Sequence, residues 1–515
     1  MAFKKTTVLD SLHVMNSTII KIIGGLMVMM ALIFLFPATY AYWVGEDMSI
    51  FLLPVPFLLI IGGLLFLLNG PSEDFSTVNG VFLVIIVWLV LFALGSIPYL
   101  MAGLTPLNSI FESVSGFTTT GSSTISDVTV MPQSLMVWRS MTQWIGGIAV
   151  VLIFIYILPM FGMGRTFFSN ELEGSGSSQL SIKLRNAASS FIQVYVGLTL
   201  VNLALLLICN ASFCDALCLS LTTISTGGLI VSNSSLVEMN IWVQIVTIVF
   251  MFIGGTNFYL HFKAIYGRNL KAYTSNKEFR YILLWFTTMA VIVFLIMEWP
   301  KLSAFDINAG EMATDFKNAV FTVVSLGTTT GSAVFDFTEY PVTITLILIV
   351  VMLIGASAGS TSGGIKFSRM RVVLKFFNNT MKNVLHPNAV YSVSIDGENV
   401  DEKRVITAVS ITLLYFLTMF FTMIVLLSQG IDWQDSLGLA AGMISNTGVG
   451  FGEYGPLGSF DTLSDPIKVF LMFMMWVGRL EITLALVVFT RTFWEDVGHS
   501  IRSNHIANRR NHRRE

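Results

Sequence analysis

Long apolar runs separated by short polar segments extend from one end of the chain to the other. With their flanks, these runs reach the length of about 20 residues that a helix needs to cross a bilayer. The cores of four of them are residues 22–42, 198–208, 243–252 and 342–354. Two runs near the N-terminus, at about 21–43 and 51–69, come before the rest. The pattern predicts an all-α integral membrane protein with roughly ten crossings.

A short polar pattern that ends in Thr-Gly interrupts the apolar runs four times, at intervals of roughly a hundred residues. The copies are SGFTTTGS at 115–122, TTISTGG at 222–228, GTTTGS at 327–332 and ISNTGVG at 444–450. Each follows an amphipathic stretch too short to span a bilayer, at 107–114, 213–221, 316–326 and 433–444. A full-length run lies on either side, and the second run carries a glycine after an apolar pair, at Gly146, Gly254, Gly355 and Gly478. The sequence predicts four repeats of helix, re-entrant loop and helix.

Four re-entrant loops predict one shared cavity, because non-helical backbone at membrane depth is tolerated only inside protein or against water. The C-terminus of each short helix presents the negative end of its dipole to that cavity, which favours a cation. Glycine lets the backbone aim successive carbonyl oxygens inward, and rings of carbonyls replace the hydration shell of potassium. We therefore predict four repeats arranged pseudo-four-fold around one potassium pore. The alternative is that the Thr-Gly copies are coincidental polar turns in a transporter of another type.

The predicted selectivity filter takes three residues from each repeat, whose backbone carbonyls are expected to bind potassium. They are Thr119, Thr120, Gly121, Ser225, Thr226, Gly227, Thr329, Thr330, Gly331, Asn446, Thr447 and Gly448. The loops are not identical, because Ser225 and Asn446 stand where the other copies carry Thr119 and Thr329. The filter is therefore expected to be only quasi-symmetric, which leaves a less selective pathway for potassium and sodium open.

A small, polar segment interrupts the last apolar run of the third repeat. Residues 355–364 read GASAGSTSGG, and a helix of that composition unwinds easily. The spacing of Gly355, Gly359 and Gly363 also suits close helix packing, which is the alternative interpretation. The polar residues between these glycines favour a loop that lines the pore. The candidate residues of this loop are Gly355, Gly359, Ser360, Thr361, Ser362, Gly363 and Gly364.

Arg479 lies inside an apolar run, directly after Gly478. An unpaired charge there would cost about 3 kcal/mol or more, so the side chain needs partners. Glu481 is one candidate, although positions i and i+2 of a helix point in different directions.

Composition agrees with a membrane protein, since 54% of the 515 residues are hydrophobic and 12% are charged, against roughly a quarter in soluble domains. The formal net charge of −2 gives no basic footprint, which excludes nucleic acid as a partner. Basic residues concentrate between the runs and near the termini, as at 263–280, 366–404 and 502–514. By the positive-inside rule these stretches and both termini are cytoplasmic, which predicts a multi-pass protein of the cell (inner) membrane.

The sequence contains no recognisable catalytic or metal-binding motif. The six histidines have no partner cluster around them in the sequence, and they are His13, His261, His386, His499, His505 and His512. Cys209, Cys214 and Cys218 lack further ligands and are expected to be small buried side chains. We expect no enzyme activity and no covalently bound cofactor, with potassium as the substrate and membrane lipid as the surroundings.

Several blocks resemble the membrane subunit of the Trk, Ktr and HKT superfamily of potassium transporters. They are ESVSGFTTTG at 112–121, QWIGG at 143–147, ILP at 157–159, GGTNF at 254–258 and NTG at 446–448. The two N-terminal spans resemble the TrkH branch more than the KtrB branch. The resemblance implies that Gly121, Gly227, Gly331 and Gly448 are the filter glycines. It also implies a preference for potassium. Members of the plant branch that prefer sodium carry serine at the first of these positions, where this chain has Gly121.

The same resemblance implies how transport is regulated. The interruption at 355–364 would form an intramembrane loop that obstructs the pathway below the filter, and Arg479 would hydrogen-bond its carbonyls and repel cations while the loop is closed. The gate residues that the resemblance implies are Gly355, Gly359, Ser360, Thr361, Ser362, Gly363, Gly364 and Arg479. A TrkA-like cytosolic ring would bind nucleotide and act on the pore, so nucleotide would reach this chain only through that separate subunit. The docking surface is expected at 369–404, and family members pair as homodimers.

The sequence leaves open whether protons or sodium move together with potassium. A proton relay would need carboxylates within the membrane. Glu112 and Asp215 lie in or near the starts of short helices, where capping is the commoner role. A proton- or sodium-coupled symporter is therefore the alternative to a gated potassium pathway.

The predicted organisation divides the chain at the ends of the repeats. The segments are 1–70 for the two extra N-terminal transmembrane helices, 71–165, 187–268 and 278–366 for repeats one to three, 367–404 for a cytoplasmic connection, 405–495 for repeat four and 496–515 for a basic cytoplasmic tail.

Overall fold

The computed structural model describes residues 17–68, 77–156, 177–229, 231–303, 308–389 and 391–495. The first helices are α1 Ser17–Val44, α2 Ser49–Leu52, α3 Pro54–Leu67, α4 Thr77–Gly95, α5 Ile97–Met101, α6 Pro106–Phe117 and α7 Gln133–Tyr156. The middle of the chain forms α8 Ser177–Ile208, α9 Phe213–Ile224, α10 Ile241–Gly254, α11 Phe258–Ile265, α12 Lys271–Ser275, α13 Lys277–Ser303, α14 Ala309–Gly327 and α15 Val342–Leu353. The last elements are α16 Phe367–Leu385, β1 Ser394–Ile395, β2 Glu398–Asn399, α17 Glu402–Ser428, α18 Trp433–Ser445, α19 Asp465–Arg479 and α20 Ile482–Val487.

Seven helices in the described residues are long and apolar enough to cross a membrane. An eighth candidate is the pair α10 and α11, which bend by 101° at the break between them. The prediction of a helical membrane protein with many spans is confirmed, whereas its count of roughly ten stays a prediction. Helices α15 and α19 are not among the seven, and they end after 12 and 15 residues. The first stops because the glycine- and serine-rich interruption follows it directly.

Two compact units make up the chain. The first comprises Met1–Ser113, Pro132–Leu135 and Thr483–Glu515, and the second comprises Val114–Met131 and Met136–Ile482. In the first unit, α1 and α3 approach closely where Gly24 faces Gly62. A Cβ on Gly24 would lie 2.6 Å from the carbonyl oxygen of Gly62, and a Cβ on Gly62 would lie 2.8 Å from that of Gly24. Small residues thus let these two apolar helices pack backbone to backbone.

The short helices that the sequence places before each Thr-Gly copy are α6, α9, α14 and α18. Three of them contain 12 or 13 residues, as expected for re-entrant helices. The short helix of the third repeat, α14, is longer. It begins at Ala309, whereas the prediction placed its start at residue 316. The Asn308 side chain caps it by accepting the N–H of Gly310 at 3.1 Å, so the polar residues before 316 join the helix.

The glycine that recurs in the second helix of each repeat has a packing role. A Cβ at Gly146 or Gly478 would overlap the carbonyl oxygen of the residue that precedes the turn of the same repeat, Phe117 or Ile444. Gly254 comes close in the same way to Ile224, at 2.9 Å. Without side chains at these positions, the long helices pack directly against the C-terminal ends of the short ones.

The third repeat differs, because Gly355 lies beyond the end of α15 and faces the carbonyl of Gly363.

Strands β1 and β2 form a small antiparallel hairpin between α16 and α17. Asp396 and Gly397 make its turn with positive φ, and the Asp396 carboxylate pairs with Arg371 of α16 at 2.7 Å. This hairpin of two two-residue strands is the single sheet in the described part of an otherwise helical chain.

Candidate functional site

Each short helix runs into a turn segment in which the backbone is left-handed twice. These turn segments are residues 118–121, 225–228, 328–331 and 445–448. Their second residues are Thr119, Thr226, Thr329 and Asn446, with φ of 53°, 53°, 58° and 58°. Their fourth residues are Gly121, Gly228, Gly331 and Gly448, with φ of 89°, 75°, 78° and 74°. A left-handed threonine is uncommon, so its recurrence indicates a conformation that the surrounding structure imposes.

Backbone hydrogen bonds give the four turn segments one common register. In each, the N–H of the third residue donates to the carbonyl five residues earlier, at 2.8 to 2.9 Å. These third residues are Thr120, Gly227, Thr330 and Thr447. Gly228, and not Gly227, therefore corresponds to Gly121, and Thr226 corresponds to Thr119. The sequence alignment of the second segment was wrong by one residue, because two adjacent glycines look alike until φ is known.

The fourth-position glycines bring neighbouring turn segments into direct contact. A Cβ at any of them would overlap the third-position carbonyl oxygen of the next segment. The pairs are Gly121 with Gly227, Gly228 with Thr330, Gly331 with Thr447, and Gly448 with Thr120. The contacts lead from each repeat to the next and from the fourth back to the first, so they run in one closed cycle.

The loops beyond the turn segments touch one another in the same order. The contacts are Val128 N–H to Asn233 Oδ1 at 2.9 Å, Leu236 N–H to the Ala333 carbonyl at 2.9 Å, the Phe337 ring against Phe451 at 5.5 Å, and Phe460 N–H to the Ser123 carbonyl at 2.9 Å. Asp127 accepts hydrogen bonds from Thr129 and Asn233, which hold the pKa of its carboxyl below the ordinary value. The cycle is thus built twice, at the turn segments and in the loops that follow them.

The turn segments carry neutral side chains that are buried. Asn446 differs from the threonines at its position, because its amide reaches two neighbours. Nδ2 donates to Thr120 Oγ1 at 3.0 Å and to the Met475 carbonyl at 2.7 Å. The asparagine therefore ties the fourth turn segment to the first and to α19.

Residues 354–366, here called the repeat-three loop, separate α15 from α16. Its two ends meet, since Ile354 and Ile365 form a parallel bridge. The chain is therefore not helical through Gly355, Gly359 and Gly363, and the alternative of a small-residue helix packing face is wrong. Ser360, Thr361 and Ser362 at its centre are buried.

The repeat-three loop lies directly against three of the four turn segments. Thr361 Oγ1 lies 3.2 Å from Thr226 Oγ1 and 3.0 Å from the Ile224 carbonyl. The Gly363 N–H donates to Thr329 Oγ1 at 2.7 Å, and a Cβ at Gly363 would overlap the Ser445 carbonyl. The loop thus contacts the second, third and fourth turn segments.

The break between α10 and α11 binds residues 357–361 of this loop. The N–H groups of Ser357 and Thr361 donate to the carbonyls of Gly255 and Gly254, at 3.0 and 3.4 Å, and the Phe258 N–H donates to the Gly359 carbonyl at 3.1 Å. The sequence GGTNF at 254–258 indicates only a family resemblance and gives no sign of this contact. The bend leaves carbonyls free of helical partners, and these are the groups that bind the loop.

Glu278, which the sequence did not single out, is a further anchor of the loop. Its Oε1 accepts from the Ser357 hydroxyl at 3.0 Å and from the Ala358 N–H at 3.3 Å.

Arg479 reaches the loop from α19, and its Nη1 donates to the Thr361 carbonyl at 2.8 Å. Glu481 instead pairs with Arg369 through both carboxylate oxygens, at 2.7 and 2.8 Å. Of the two partners considered for Arg479, the loop carbonyl is therefore the one that it contacts.

Lys366 donates to the Ser362 carbonyl, and a cavity of about 30 Å³ lies between Ser362, Lys366 and Arg479.

The carboxylates considered for a proton relay occupy different positions. Asp215 lies in the first turn of α9 and accepts from the Ser212 hydroxyl at 2.7 Å, as a capping residue does. Glu112 is buried in the middle of α6, so the expectation that it lies near the helix start was wrong.

The remaining expectations concern the cysteines and several residues that the structure does not describe. Of the three cysteines, Cys218 is buried, whereas Cys209 and Cys214 are half-buried. The ILP block at 157–159, His13, His499, His505, His512 and the tail 496–515 lie outside the described residues.

The sequence profile of the TrkH family, described as cation transport protein, matches residues 48–496. The chain belongs to the TrkH family. Among curated relatives, the Trk system potassium uptake protein TrkH of Salmonella typhimurium is 29% identical over 445 residues, which are 85% of this chain and 90% of the relative. The protein of the same name from Halomonas elongata is 28% identical over 488 residues, which are 92% and 98% of the two chains.

A solved structure agrees with this TrkH-family assignment. The crystal structure of the potassium transporter TrkH from Vibrio parahaemolyticus superposes with a TM-score of 0.83 at 27% identity, and covers 93% of this chain and 99% of that one. The resemblance to the TrkH branch is therefore confirmed. A multi-pass membrane protein of a cation transporter family follows directly.

Proposed function

We propose that this TrkH-family chain takes up potassium across the cytoplasmic membrane through a filter formed by the four turn segments, arranged pseudo-four-fold. The observation that carries the proposal is the closed cycle of contacts between their glycines and third-position carbonyls. In each turn segment, one residue of negative φ stands between two left-handed ones. Such alternation turns successive carbonyl oxygens to one side of the chain, where they replace the hydration shell of a monovalent cation.

The filter residues follow the backbone register. The second to fourth residues of each turn segment are Thr119, Thr120, Gly121, Thr226, Gly227, Gly228, Thr329, Thr330, Gly331, Asn446, Thr447 and Gly448. Ser225 falls one position outside the set. No charged side chain belongs to it, so the cation would be stabilised by carbonyl dipoles and by the negative ends of the short helices. The names of the relatives, potassium uptake proteins, support potassium as the ion.

The repeat-three loop and Arg479 would form the gate of this pathway. Its contacts with Thr226, Thr329 and Ser445 support a closed position directly beneath the filter. The guanidinium holds the loop through the Thr361 carbonyl and adds a positive charge that repels a cation. Opening then requires the loop to leave the turn segments.

Regulation would come from outside the membrane. A TrkA-like nucleotide-binding ring is the expected partner, because the relatives are parts of a Trk system. Residues 369–404, which include α16 and the β1–β2 hairpin, are the proposed docking surface on the cytoplasmic side. The chain would work as a homodimer, with its termini in the cytoplasm.

Potassium uptake can be tested in a bacterium that lacks its own uptake systems. Expression of the full chain with a TrkA-type partner is expected to restore growth at limiting potassium and to produce saturable uptake of potassium or rubidium. No uptake with or without the partner, from protein present in the membrane, contradicts the proposal.

The same cells separate a gated pathway from the alternative of a coupled symporter. A gated pathway predicts that the reversal potential follows the potassium gradient alone. A shift with the proton or sodium gradient at fixed potassium identifies coupling instead.

A further inference from the structure

The second turn segment lacks a side-chain contact that the other three share. In those three, the hydroxyls of the first and third residues hydrogen-bond to each other. The pairs are Thr118 with Thr120 at 2.7 Å, Thr328 with Thr330 at 2.9 Å, and Ser445 with Thr447 at 2.7 Å. In the second, the third residue is Gly227, and the Ser225 hydroxyl donates to the Leu221 carbonyl at 2.9 Å. Nothing within this segment replaces the missing threonine.

The side chain of Gln143, from α7, occupies the place of that threonine. A Cβ at Gly227 would lie 2.5 Å from Gln143 Oε1 and 2.8 Å from its Nε2. The amide makes two hydrogen bonds around Gly228, since Nε2 donates to the Gly227 carbonyl at 2.6 Å and Oε1 accepts the Leu229 N–H at 3.1 Å. Gln143 is fully buried, so water does not compete for these groups.

The glutamine is specific to this repeat. Gln143 lies three residues before Gly146, the recurrent glycine of the first repeat. The residue at the same position in the other three repeats is methionine, at Met251, Met352 and Met475. The one repeat with an amide at this position is followed by the one turn segment whose third residue is glycine. Thioether side chains could not form the two-point contact, because a thioether sulfur is a weak acceptor and has no hydrogen to donate.

We propose that Gln143 is a positioning residue that holds the Gly227 carbonyl in the filter and thereby contributes to the preference for potassium over sodium. The inference rests on the proposed function, because it assumes that the third-position carbonyls bind the transported ion. Gln143 acts through the backbone on either side of Gly228 and does not itself touch the ion. In the other repeats, methionine and threonine stand at the positions of Gln143 and Gly227.

Reciprocal substitution tests the pairing, with the ratio of potassium to sodium uptake in proteoliposomes of the full chain as the readout. Gln143→Met is expected to lower the ratio about 5- to 10-fold, since the Gly227 carbonyl loses its donor. Gly227→Thr alone is expected to lower total uptake more than 10-fold, because its Cβ overlaps the Gln143 amide. The double variant recreates the methionine and threonine pair and is expected to return to within about two-fold of the wild type.

Controls make each outcome decisive. Met251→Leu, a volume-conserving change at the equivalent position of the second repeat, is expected to leave the ratio within about two-fold. If Gln143→Met does not elute as a folded protein, Gln143→Asn replaces it, because the shorter amide cannot reach both backbone groups. A wild-type ratio in the single variant, or a double variant no better than the worse single one, overturns the inference while the potassium function stands. A wild type that carries no potassium overturns both.

Discussion

Replacing Gly448 with serine is expected to reduce potassium uptake at least about 100-fold, equivalent to roughly 2.7 kcal/mol in the barrier. Gly448 has φ of +74°, where an L side chain costs about 1–2 kcal/mol. Its Cβ would also overlap the Thr120 carbonyl oxygen, so the first and fourth turn segments must separate. The measurement is initial rubidium or potassium uptake per amount of protein in the membrane.

Gly430→Ser is the matched control for this substitution. Gly430 has φ of +82°, but a Cβ there would meet no atom within 4 Å. It carries the same backbone strain without contact to a turn segment, and uptake is expected to stay within about two-fold of the wild type. Equal losses in both variants would assign the effect to folding and contradict the role of Gly448 in the filter.

Arg479→Gln is expected to raise potassium flux in the absence of the regulatory partner by about 10- to 100-fold. The substitution removes a buried positive charge that lies beside the repeat-three loop. A unit charge about 5 Å from a passing cation, at an effective dielectric constant of 20, contributes about 3 kcal/mol, which sets the upper end of this range. Flux into liposomes at zero partner concentration is the measurement.

Arg479→Lys separates charge from hydrogen bonding at the same site. The lysine keeps the positive charge but loses the planar guanidinium that reaches the Thr361 carbonyl. If charge repulsion dominates, flux through the lysine variant stays close to that of the wild type. If it rises as much as in Arg479→Gln, the hydrogen bond to the loop is what closes the pathway. Unchanged flux in both variants would remove Arg479 from the gate.

Local pattern in the sequence was enough to predict the repeat unit. Three local signals were available: the lengths of the apolar runs, the Thr-Gly copies, and the glycine that recurs in the second helix of each repeat. Each depends on residues that are close together in the chain. The break after α15 was predictable for the same reason, because glycine and serine are poor helix formers wherever they lie.

Correspondence between repeats was less predictable. Gly227 and Gly228 are adjacent glycines that the sequence cannot tell apart. The hydrogen bond from the Gly227 N–H to the Thr222 carbonyl makes Gly227 the third residue of the turn segment, and the positive φ of Gly228 makes it the fourth. The early start of α14 depends in turn on one capping side chain, Asn308.

Partners far apart in the chain belong to the tertiary structure alone. Glu481 pairs with Arg369 rather than with its neighbour Arg479, and Gln143 binds backbone 84 residues away at Gly227. The sequence by itself therefore determined a multi-pass helical protein and predicted four similar units, since hydrophobic length and helix propensity act over a few turns. The closed order of the turn segments and the contacts of the repeat-three loop were decided by packing, because hydrogen bonds and glycine contacts form only where distant segments meet.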